Sequence, residues 1–163
     1  MTTTHTVLDS PLGPLTLVAR DGALCAVLMS EHRQSRLLPG ERRDADFVAA
    51  VRQLGEYFAG ERREFELPLA PAGPPFDQRV WALLRRIPYG ETRSYGDLAR
   101  ELGGAGFSQA VGRANGRNPL AVVVPCHRVV GADGSLTGYA GGLERKRALL
   151  HLENPARFGE TLF

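Results

Sequence analysis

A cluster of prolines near the middle of the chain limits where regular structure can form. Four prolines and one glycine lie close together: Pro68, Pro71, Gly73, Pro74 and Pro75. Because proline has a fixed φ and no amide hydrogen to donate, helices and inner strands do not run through such a stretch. The cluster predicts a linker over residues 71–76, between an N-terminal lobe (residues 1–70) and a C-terminal lobe (residues 77–163).

Length and composition are compatible with two small lobes. The chain has 163 residues, of which 43% are hydrophobic and 23% are charged, as in ordinary globular proteins. No apolar run approaches the length of a membrane span, and the first residues lack the basic and apolar regions of a secretory signal. We therefore expect a cytoplasmic protein without a membrane partner.

The charges are distributed unevenly along the chain. Residues 79–147 carry 11 Arg and Lys against 5 acidic residues, whereas residues 1–78 carry 8 Arg against 11 acidic residues. The later part would therefore prefer a polyanion such as nucleic acid. Charge alone is weak evidence, because a GC-rich genome also enriches arginine.

The N-terminal lobe has the pattern of a small α/β unit. Four strands are predicted, over residues 6–8, 15–19, 24–29 and 64–69. Asp21-Gly22 predicts a hairpin turn between the second and third of them. Apolar residues at helical spacing predict a helix over residues 46–59, and the polar stretch 31–44 predicts a loop.

The C-terminal lobe begins with helical patterns. A helix is predicted over residues 76–87, and Ser94 precedes Asp97 at the spacing of a capping box. After a glycine-rich turn, Ser108 is expected to cap a further short helix. Two short helices joined in this way are typical of a helix-turn-helix, although two core helices of an α/β domain would give the same pattern.

The two cysteines, Cys25 and Cys126, have different surroundings. Cys25 lies in a predicted strand and is interpreted as a buried apolar side chain. The sequence has no Cys-x-x-Cys or His-x-x-x-His pair, so no metal site is expected.

Cys126 follows an apolar run over residues 120–124 that predicts a buried strand. His127 and Arg128 come next, and a neighbouring base or cation can lower the pKa of a thiol and produce the reactive thiolate. Adjacent side chains diverge on strands and helices, so Cys126 and His127 need a sharp turn or a bridging water to exchange a proton. Taken alone, such a pair is more often a buried thiol beside a hydrogen-bonded imidazole.

The cysteine motif belongs to a longer ordered set. Asn118-Pro119 precedes the apolar run, Gly138-Tyr139-Ala140-Gly141-Gly142-Leu143 follows the motif, and a predicted helix ends at Glu153. This set resembles the O6-alkylguanine-DNA alkyltransferase family, also called methylated-DNA–protein-cysteine methyltransferases. The resemblance extends along essentially the whole chain and is strongest over residues 76–153. A chance match to Pro-Cys-His-Arg is on the order of one in a thousand for a chain of this size.

The resemblance implies a fold and an activity. The fold is α/β (α+β), with a ribonuclease-H-like N-terminal lobe built on an antiparallel sheet and a mainly helical, winged helix-turn-helix-like domain that binds DNA and accepts the alkyl group. The implied activity is DNA repair: O6-alkylguanine is flipped out of the duplex and its alkyl group is transferred irreversibly, once per molecule, to Cys126. Repair of O4-alkylthymine is left open.

The resemblance also implies what the protein binds. The partner is double-stranded DNA containing O6-alkylguanine, and no metal or organic cofactor is needed. We expect a monomer without an obligate protein partner.

Roles for individual residues follow from the resemblance. Cys126 would be the alkyl acceptor, His127 would take the thiol proton through a bridging water, and Glu153 would orient His127. Asn118 would tether the turn that presents the cysteine. Tyr95 would contact the flipped nucleotide and donate a proton to the leaving guanine.

The helix-turn-helix is expected to lie in the minor groove, where small residues on the second helix allow close approach. Besides Tyr95, the expected DNA-binding residues are Ser108, Gln109, Ala110, Gly112, Arg113, Arg117 and Arg128. The alkylguanine pocket is expected to be lined by Val129, Tyr139, Ala140 and Gly141.

Gln109 departs from the family pattern, which usually has Arg there to enter the base stack in place of the flipped nucleotide. Glutamine has no charge, so we expect slower flipping or weaker DNA binding with an intact chemical step. The departure supports a second hypothesis, a non-repairing sensor of alkylated DNA, although the presence of Cys126 argues against it. A third hypothesis, a thiol hydrolase with turnover, would need an oxyanion hole that the sequence does not indicate.

Overall fold

The computed structural model of the chain describes residues 2–29, 40–139 and 141–159. By internal contacts these residues form two compact units. The first is Met1–Ala72 together with Pro119–Val123, and the second is Gly73–Asn118 together with Val124–Phe163. Most of the predicted loop over residues 31–44 lies outside the described residues, as does Ala140.

The first unit contains a four-stranded sheet in the order β3-β2-β1-β4. Its strands are β1 (Thr3–Leu8), β2 (Leu15–Arg20), β3 (Ala23–Met29) and β4 (Glu41–Arg42). The first three are antiparallel neighbours, as predicted, and β4 adds a short parallel edge beside β1. Asp21 and Gly22 both have positive φ, as a tight hairpin turn between twisted strands requires.

Helix α1 (Val48–Phe58) confirms the predicted helix of the first unit and is preceded by a 3₁₀ turn over Asp44–Phe47. Its buried face includes the Gln53 side chain, whose amide donates to the Glu66 carbonyl and accepts from the Glu66 amide. The strand predicted over residues 64–69 is therefore wrong, because this side chain and not a neighbouring strand binds the Glu66 backbone. Only Leu69 forms a bridge, with Leu24.

The second unit is mainly helical. Its helices are α2 (Pro75–Leu84), α3 (Tyr95–Glu101), α4 (Ser108–Gly116), α5 (Leu143–Glu153) and α6 (Pro155–Phe158). Two short strands, β5 (Arg93–Ser94) and β6 (Val129–Val130), pair in parallel. Trp81 of α2 is buried and donates through Nε1 to the Ala114 carbonyl of α4 at 2.9 Å, which joins the two helices.

Helices α3 and α4 form the helix-turn-helix. The capping box at α3 is confirmed: Ser94 Oγ accepts from the Asp97 amide, and Asp97 Oδ2 accepts from the Ser94 amide. The predicted cap at Ser108 is wrong. A 3₁₀ turn over Ala105–Phe107 leads directly into α4, so the Ser108 hydroxyl donates back to the Ala105 carbonyl at 2.9 Å.

The apolar run over residues 120–124 is buried but is not the predicted strand. The Val123 amide donates to the Ala121 carbonyl at 2.8 Å, and Val122 between them has φ +72°, which makes this a γ-turn with a strained β-branched residue at its centre. The sequence pattern placed this run in the C-terminal lobe, but most of it belongs to the first unit. Val27 donates to the Pro119 carbonyl at 2.8 Å and bridges with Leu120, so the segment packs in the first unit.

Candidate active site

A second tight turn presents Cys126. Pro125 has φ −81° and ψ 65°, and the Cys126 amide donates to the Val124 carbonyl at 2.8 Å, which together define an inverse γ-turn. Cys126 then begins a 3₁₀ turn that ends at Arg128. The cysteine thus lies at a sharp change of direction and not at the end of a strand.

Two buried asparagines hold the backbone around this turn. Asn118 Nδ2 donates to the Val124 carbonyl at 2.9 Å, and Asn115 Nδ2 donates to the Cys126 carbonyl at 3.3 Å. The Asn118 contact has the geometry expected of a tether. Asn115 lies in the last turn of α4 and was not singled out from the sequence, which carries no distinct signal for it.

His127, Arg128 and Glu153 form a buried cluster next to the cysteine. Glu153 Oε2 lies 2.7 Å from His127 Nε2 and accepts from an Arg128 terminal nitrogen at 3.0 Å. Arg128 Nε donates to Glu153 Oε1 at 2.8 Å. Because a carboxylate only accepts, the His127 proton is on Nε2, and Nδ1 is left as an acceptor without a hydrogen-bond partner among the described residues.

The electrostatics of the cluster favour a neutral imidazole beside an ionised carboxylate. Burial lowers the pKa of His127, and this effect outweighs the attraction of Glu153. Burial acts on Glu153 in the opposite sense, but His127 and Arg128 together hold the pKa of Glu153 well below its usual range. At neutral pH His127 is therefore positioned and uncharged, as a base must be before it takes a proton.

Arg128 is an internal residue and not the DNA contact expected from the sequence. It is buried, its terminal nitrogens bind Glu153 and the Ile87 carbonyl, and its guanidinium lies over the Tyr89 ring, 5.7 Å from the centroid. The guanidinium is therefore engaged inside the protein, and 8% of the side chain is exposed.

Burial raises the pKa of the Cys126 thiol. Asn118, Lys146 and Tyr139 act in the opposite direction, because each stabilises negative charge on the sulfur. Lys146 was not singled out from the sequence. It is fully buried, and its Nζ donates to the Val129 carbonyl at 2.6 Å and the Thr137 carbonyl at 2.8 Å.

Of the remaining predicted pocket residues, Tyr139 interacts with Cys126 through its buried hydroxyl. Burial raises the pKa of Tyr139 well above its ordinary value. The half-buried Tyr95 accepts through its hydroxyl from Thr137 Oγ1 at 3.0 Å. Val129 is buried in β6, and Gly141 precedes α5.

Helix α4 displays most of the side chains expected at DNA. Gln109 and Arg113 are exposed, and Ser108, Ala110 and Gly112 are half-buried. Arg117 is exposed as well, but its guanidinium makes a bidentate ion pair with the buried Asp77 at 2.7 and 2.9 Å. This pair joins the end of α4 to α2 and leaves Arg117 less available to DNA than the sequence suggests.

Two kinds of feature are missing from the part of the chain that is described. Residues 2–29, 40–139 and 141–159 contain no group of three or more His, Cys, Asp and Glu side chains that could hold a metal ion. Within the same ranges no helix is long and apolar enough to cross a membrane.

A helix-turn-helix beside a buried cysteine with an oriented histidine defines a DNA-binding protein with a nucleophilic thiol. Comparison with known proteins agrees with this class. Residues 75–155 match the family described as 6-O-methylguanine DNA methyltransferase, DNA binding domain, and residues 3–71 match its ribonuclease-like domain. The chain therefore belongs to the 6-O-methylguanine DNA methyltransferase family, and the predicted fold class is confirmed.

Similar proteins come from bacteria and archaea. The methylated-DNA–protein-cysteine methyltransferase of Mycolicibacterium paratuberculosis is 51% identical over 150 residues, covering 91% of each chain. That of Methanosarcina acetivorans is 46% identical, covering 91% of this chain and 97% of its own.

Solved structures are also similar. The crystal structure of the Mycobacterium tuberculosis O6-methylguanine methyltransferase matches with a TM-score of 0.85 at 51% identity over 93% of each chain. Mycobacterium tuberculosis OGT in complex with DNA matches with a TM-score of 0.84 at 47% identity over 99% of this chain and 96% of its own.

Proposed function

We propose that this protein repairs DNA by moving the alkyl group of O6-alkylguanine onto the sulfur of its own Cys126. The observation that carries the proposal is the buried arrangement of Cys126, neutral His127 and ionised Glu153 in a chain of this family. The second unit, with the expected C-terminal domain over residues 77–163, would supply both the DNA-binding helices and the acceptor.

The thiol must first lose its proton. Adjacent side chains in a 3₁₀ turn diverge, so direct transfer from Cys126 to His127 is unfavourable, and a water molecule between them would carry the proton to His127 Nδ1. Glu153 accepts from Nε2 and would stabilise the imidazolium that forms. Asn118 would keep the sulfur in place through its hold on the turn.

Alkyl transfer then follows as an in-line displacement. A sulfur lone pair forms the new S–C bond while the C–O6 bond breaks, and its electron pair goes to guanine. The guanine takes one proton, for which the Tyr95 hydroxyl is the proposed donor. Solvent then returns a proton to the Tyr95 phenolate and takes one from the His127 imidazolium, so that the net change is one proton lost by the thiol and one gained by the base. The thioether cannot be hydrolysed under mild conditions, so each molecule would act once and need no cofactor.

The reacting oxygen is inside the base stack, so the nucleotide must be extruded into a pocket. We propose that α4 lies in the minor groove, with Ser108, Ala110 and Gly112 allowing close approach and Arg113 binding phosphate. Gln109 would fill the place of the flipped base. The pocket walls would be Tyr139, the Val129 carbonyl, and the backbone of Ala140 and Gly141.

The test is the intact mass of the protein after incubation with a duplex that contains one O6-methylguanine. We expect a gain of one methyl group, mapped to Cys126, that saturates at one per protein. Cys126→Ala should gain nothing, and Cys25→Ala, the matched control in the first unit, should behave like wild type. A parallel duplex with O4-methylthymine tests the second substrate, and the elution volume of the protein tests the expected monomer.

One observation favours a second function. Exposed Gln109 stands where the family usually has Arg, so binding and chemistry could be separated in this chain. No mass gain, with preferential binding of the alkylated duplex, would identify a damage sensor instead. Repeated turnover would identify a hydrolase.

A further inference from the structure

The hydroxyl of Tyr95 is hydrogen-bonded to a residue that has no role in the proposed reaction so far. Thr137 Oγ1 donates to it at 3.0 Å, and both side chains are half-buried. A phenolic hydroxyl has one hydrogen to donate, and its oxygen also accepts. Because Thr137 binds the oxygen, the hydrogen of Tyr95 is left for another acceptor, and within residues 2–29, 40–139 and 141–159 no group accepts it.

The rest of the Tyr95 side chain is held by helices α3 and α4. Tyr95 is the first residue of α3, and the capping box at Ser94 fixes the start of that helix. Its ring lies beside Gly112 of α4, where an added Cβ would be 3.8 Å from two ring carbons. Thr137 therefore acts on the hydroxyl end of a ring that is already positioned beside the proposed DNA-binding helix.

Thr137 is itself fixed in position. Its carbonyl accepts from Lys146 Nζ at 2.8 Å, and a β-branched side chain has few χ1 rotamers. Two residues later, Tyr139 interacts with the Cys126 thiol. One short segment thus contacts the proposed proton donor through Thr137 and the proposed alkyl acceptor through Tyr139.

Building on the proposed alkyl transfer, on which this inference rests, we infer that Thr137 is a positioning residue for Tyr95. Its hydroxyl leaves the Tyr95 hydrogen available to the flipped guanine and stabilises the phenolate that remains when the proton has gone.

The hydrogen bond from Thr137 becomes stronger during the reaction. As the C–O6 bond breaks, its electron pair goes to guanine, and a ring nitrogen takes the Tyr95 proton. The Tyr95 oxygen keeps the O–H electron pair and can then only accept, so its bond from Thr137 becomes charge-assisted. Thr137 keeps its own proton, and solvent returns one to Tyr95. An interaction that is stronger after proton transfer than before it accelerates the step.

The first test measures single-turnover methyl transfer from a duplex with one O6-methylguanine, at protein concentrations that saturate the duplex. Thr137→Val keeps the shape of the side chain without the hydroxyl, and we expect transfer to slow about ten-fold, as for a lost hydrogen bond to a charged group. Thr137→Ser keeps the hydroxyl and should restore most of the rate. Ser135→Ala, which removes an exposed hydroxyl two residues earlier, is the matched control and should react like wild type.

A double-mutant cycle with Tyr95→Phe separates positioning from a structural role. If Thr137 acts through the Tyr95 hydroxyl, Thr137→Val should slow transfer by less than about two-fold once that hydroxyl is absent. The same loss in both backgrounds would show a merely structural role and overturn the inference.

The second test uses iodoacetamide, which alkylates a thiol and releases iodide, a leaving group that needs no proton. Alkylation of Cys126, followed by peptide mass, should therefore stay within about two-fold of wild type in Thr137→Val and in Tyr95→Phe. Equal slowing with iodoacetamide and with alkylated DNA would place the effect at the cysteine and overturn the inference.

Failure of the proposed function and failure of the inference give different results. A wild type that gains no methyl group from alkylated DNA would overturn the proposed function, and the inference with it. A wild type that gains one methyl group, together with a Thr137→Val variant that reacts equally fast, would overturn the inference alone.

Discussion

Glu153 is the residue on which the electrostatics of the buried cluster depend. It is the acceptor for His127 Nε2 and for two nitrogens of Arg128, so one carboxylate serves one neutral ring and one cation. The Glu153 carboxylate and the Arg128 guanidinium together carry no net charge, which limits the free-energy cost of burying them. Removal of either partner would leave the other charge buried and unpaired.

This arrangement makes stability depend on pH. The folded-state pKa of Glu153 is depressed, so its contribution to stability is present above about pH 4.3 and is lost as the pH falls towards the folded-state pKa. The pKa of buried His127 is also lowered, so protonation of this residue in the unfolded chain reduces stability below about pH 6.5. We expect the free energy of unfolding to fall below about pH 6.5 because of His127 and to fall further below about pH 4.3 because of Glu153, and we expect Glu153→Gln to flatten only the part below about pH 4.3. Urea unfolding followed by Trp81 fluorescence measures both, and equal slopes would contradict the assignment.

Gln109 is the residue at which this chain departs from the family pattern. Its side chain is exposed at the start of α4, where an Arg would add a charge and a larger planar group for the orphaned base. Gln109→Arg should raise the rate of methyl transfer from duplex DNA and leave the rate with free O6-benzylguanine unchanged. Gln109→Leu is the control of similar size, and a duplex rate unaffected by Arg would refute the role given to Gln109.

Helices α3 and α4 begin in different ways, although a serine lies at the start of each, Ser94 before α3 and Ser108 as the first residue of α4. The Ser94 hydroxyl accepts from an amide of the first turn of α3, whereas the Ser108 hydroxyl donates to a carbonyl of the preceding 3₁₀ turn. Helix α3 carries Tyr95 as its first residue. The cap therefore contributes to placing the proposed proton donor.

The two serines provide a matched pair of variants. Ser94→Ala should reduce the free energy of unfolding by about 1 kcal/mol, the usual effect of losing an N-cap, and Ser108→Ala should change it by less than about 0.5 kcal/mol. Chemical denaturation of both variants gives the comparison. Equal losses would show that the capping box contributes no more than an ordinary exposed hydroxyl.

For the whole molecule, the important feature is the path of the chain between the two units. The chain leaves the second unit after Asn118, packs in the first unit over Pro119–Val123, and returns at Val124, two residues before Cys126. The two γ-turns that lead to the cysteine are centred on Val122 and Pro125. The chain therefore passes through the first unit directly before it reaches the cysteine.

A fragment of residues 73–163 tests how much the packing of Pro119–Val123 in the first unit contributes to stability. It would lack Val27, which binds the Pro119 backbone, and would expose Leu120 and Val122, which are 0% and 1% exposed in the intact chain. We expect a lower Tm or aggregation of the fragment, measured by calorimetry against the full chain, because exposed aliphatic side chains lose burial energy. A fragment as stable as the full chain would show that the second unit is independent.

Interactions between residues that are close in sequence determine much of the secondary structure of this protein. The hairpin at Asp21-Gly22, the amphipathic helix α1 and the capping box of α3 follow from interactions within a few residues, and all three are confirmed. The site motif around Cys126 is also local in sequence, and the family it indicates is confirmed by residues 75–155.

Tertiary structure decided the features whose partners are distant in the chain. Arg128 is internal because Glu153, 25 residues later, and the Ile87 carbonyl, 41 residues earlier, satisfy its guanidinium. The apolar run before Cys126 is a turn and not a strand because the Val123 amide donates to the Ala121 carbonyl within a γ-turn, while Leu120 forms an isolated bridge with Val27. Lys146 is buried for the same kind of reason, since its acceptors come from segments that the fold alone brings together. Apolar periodicity carries information on burial but not on these partners.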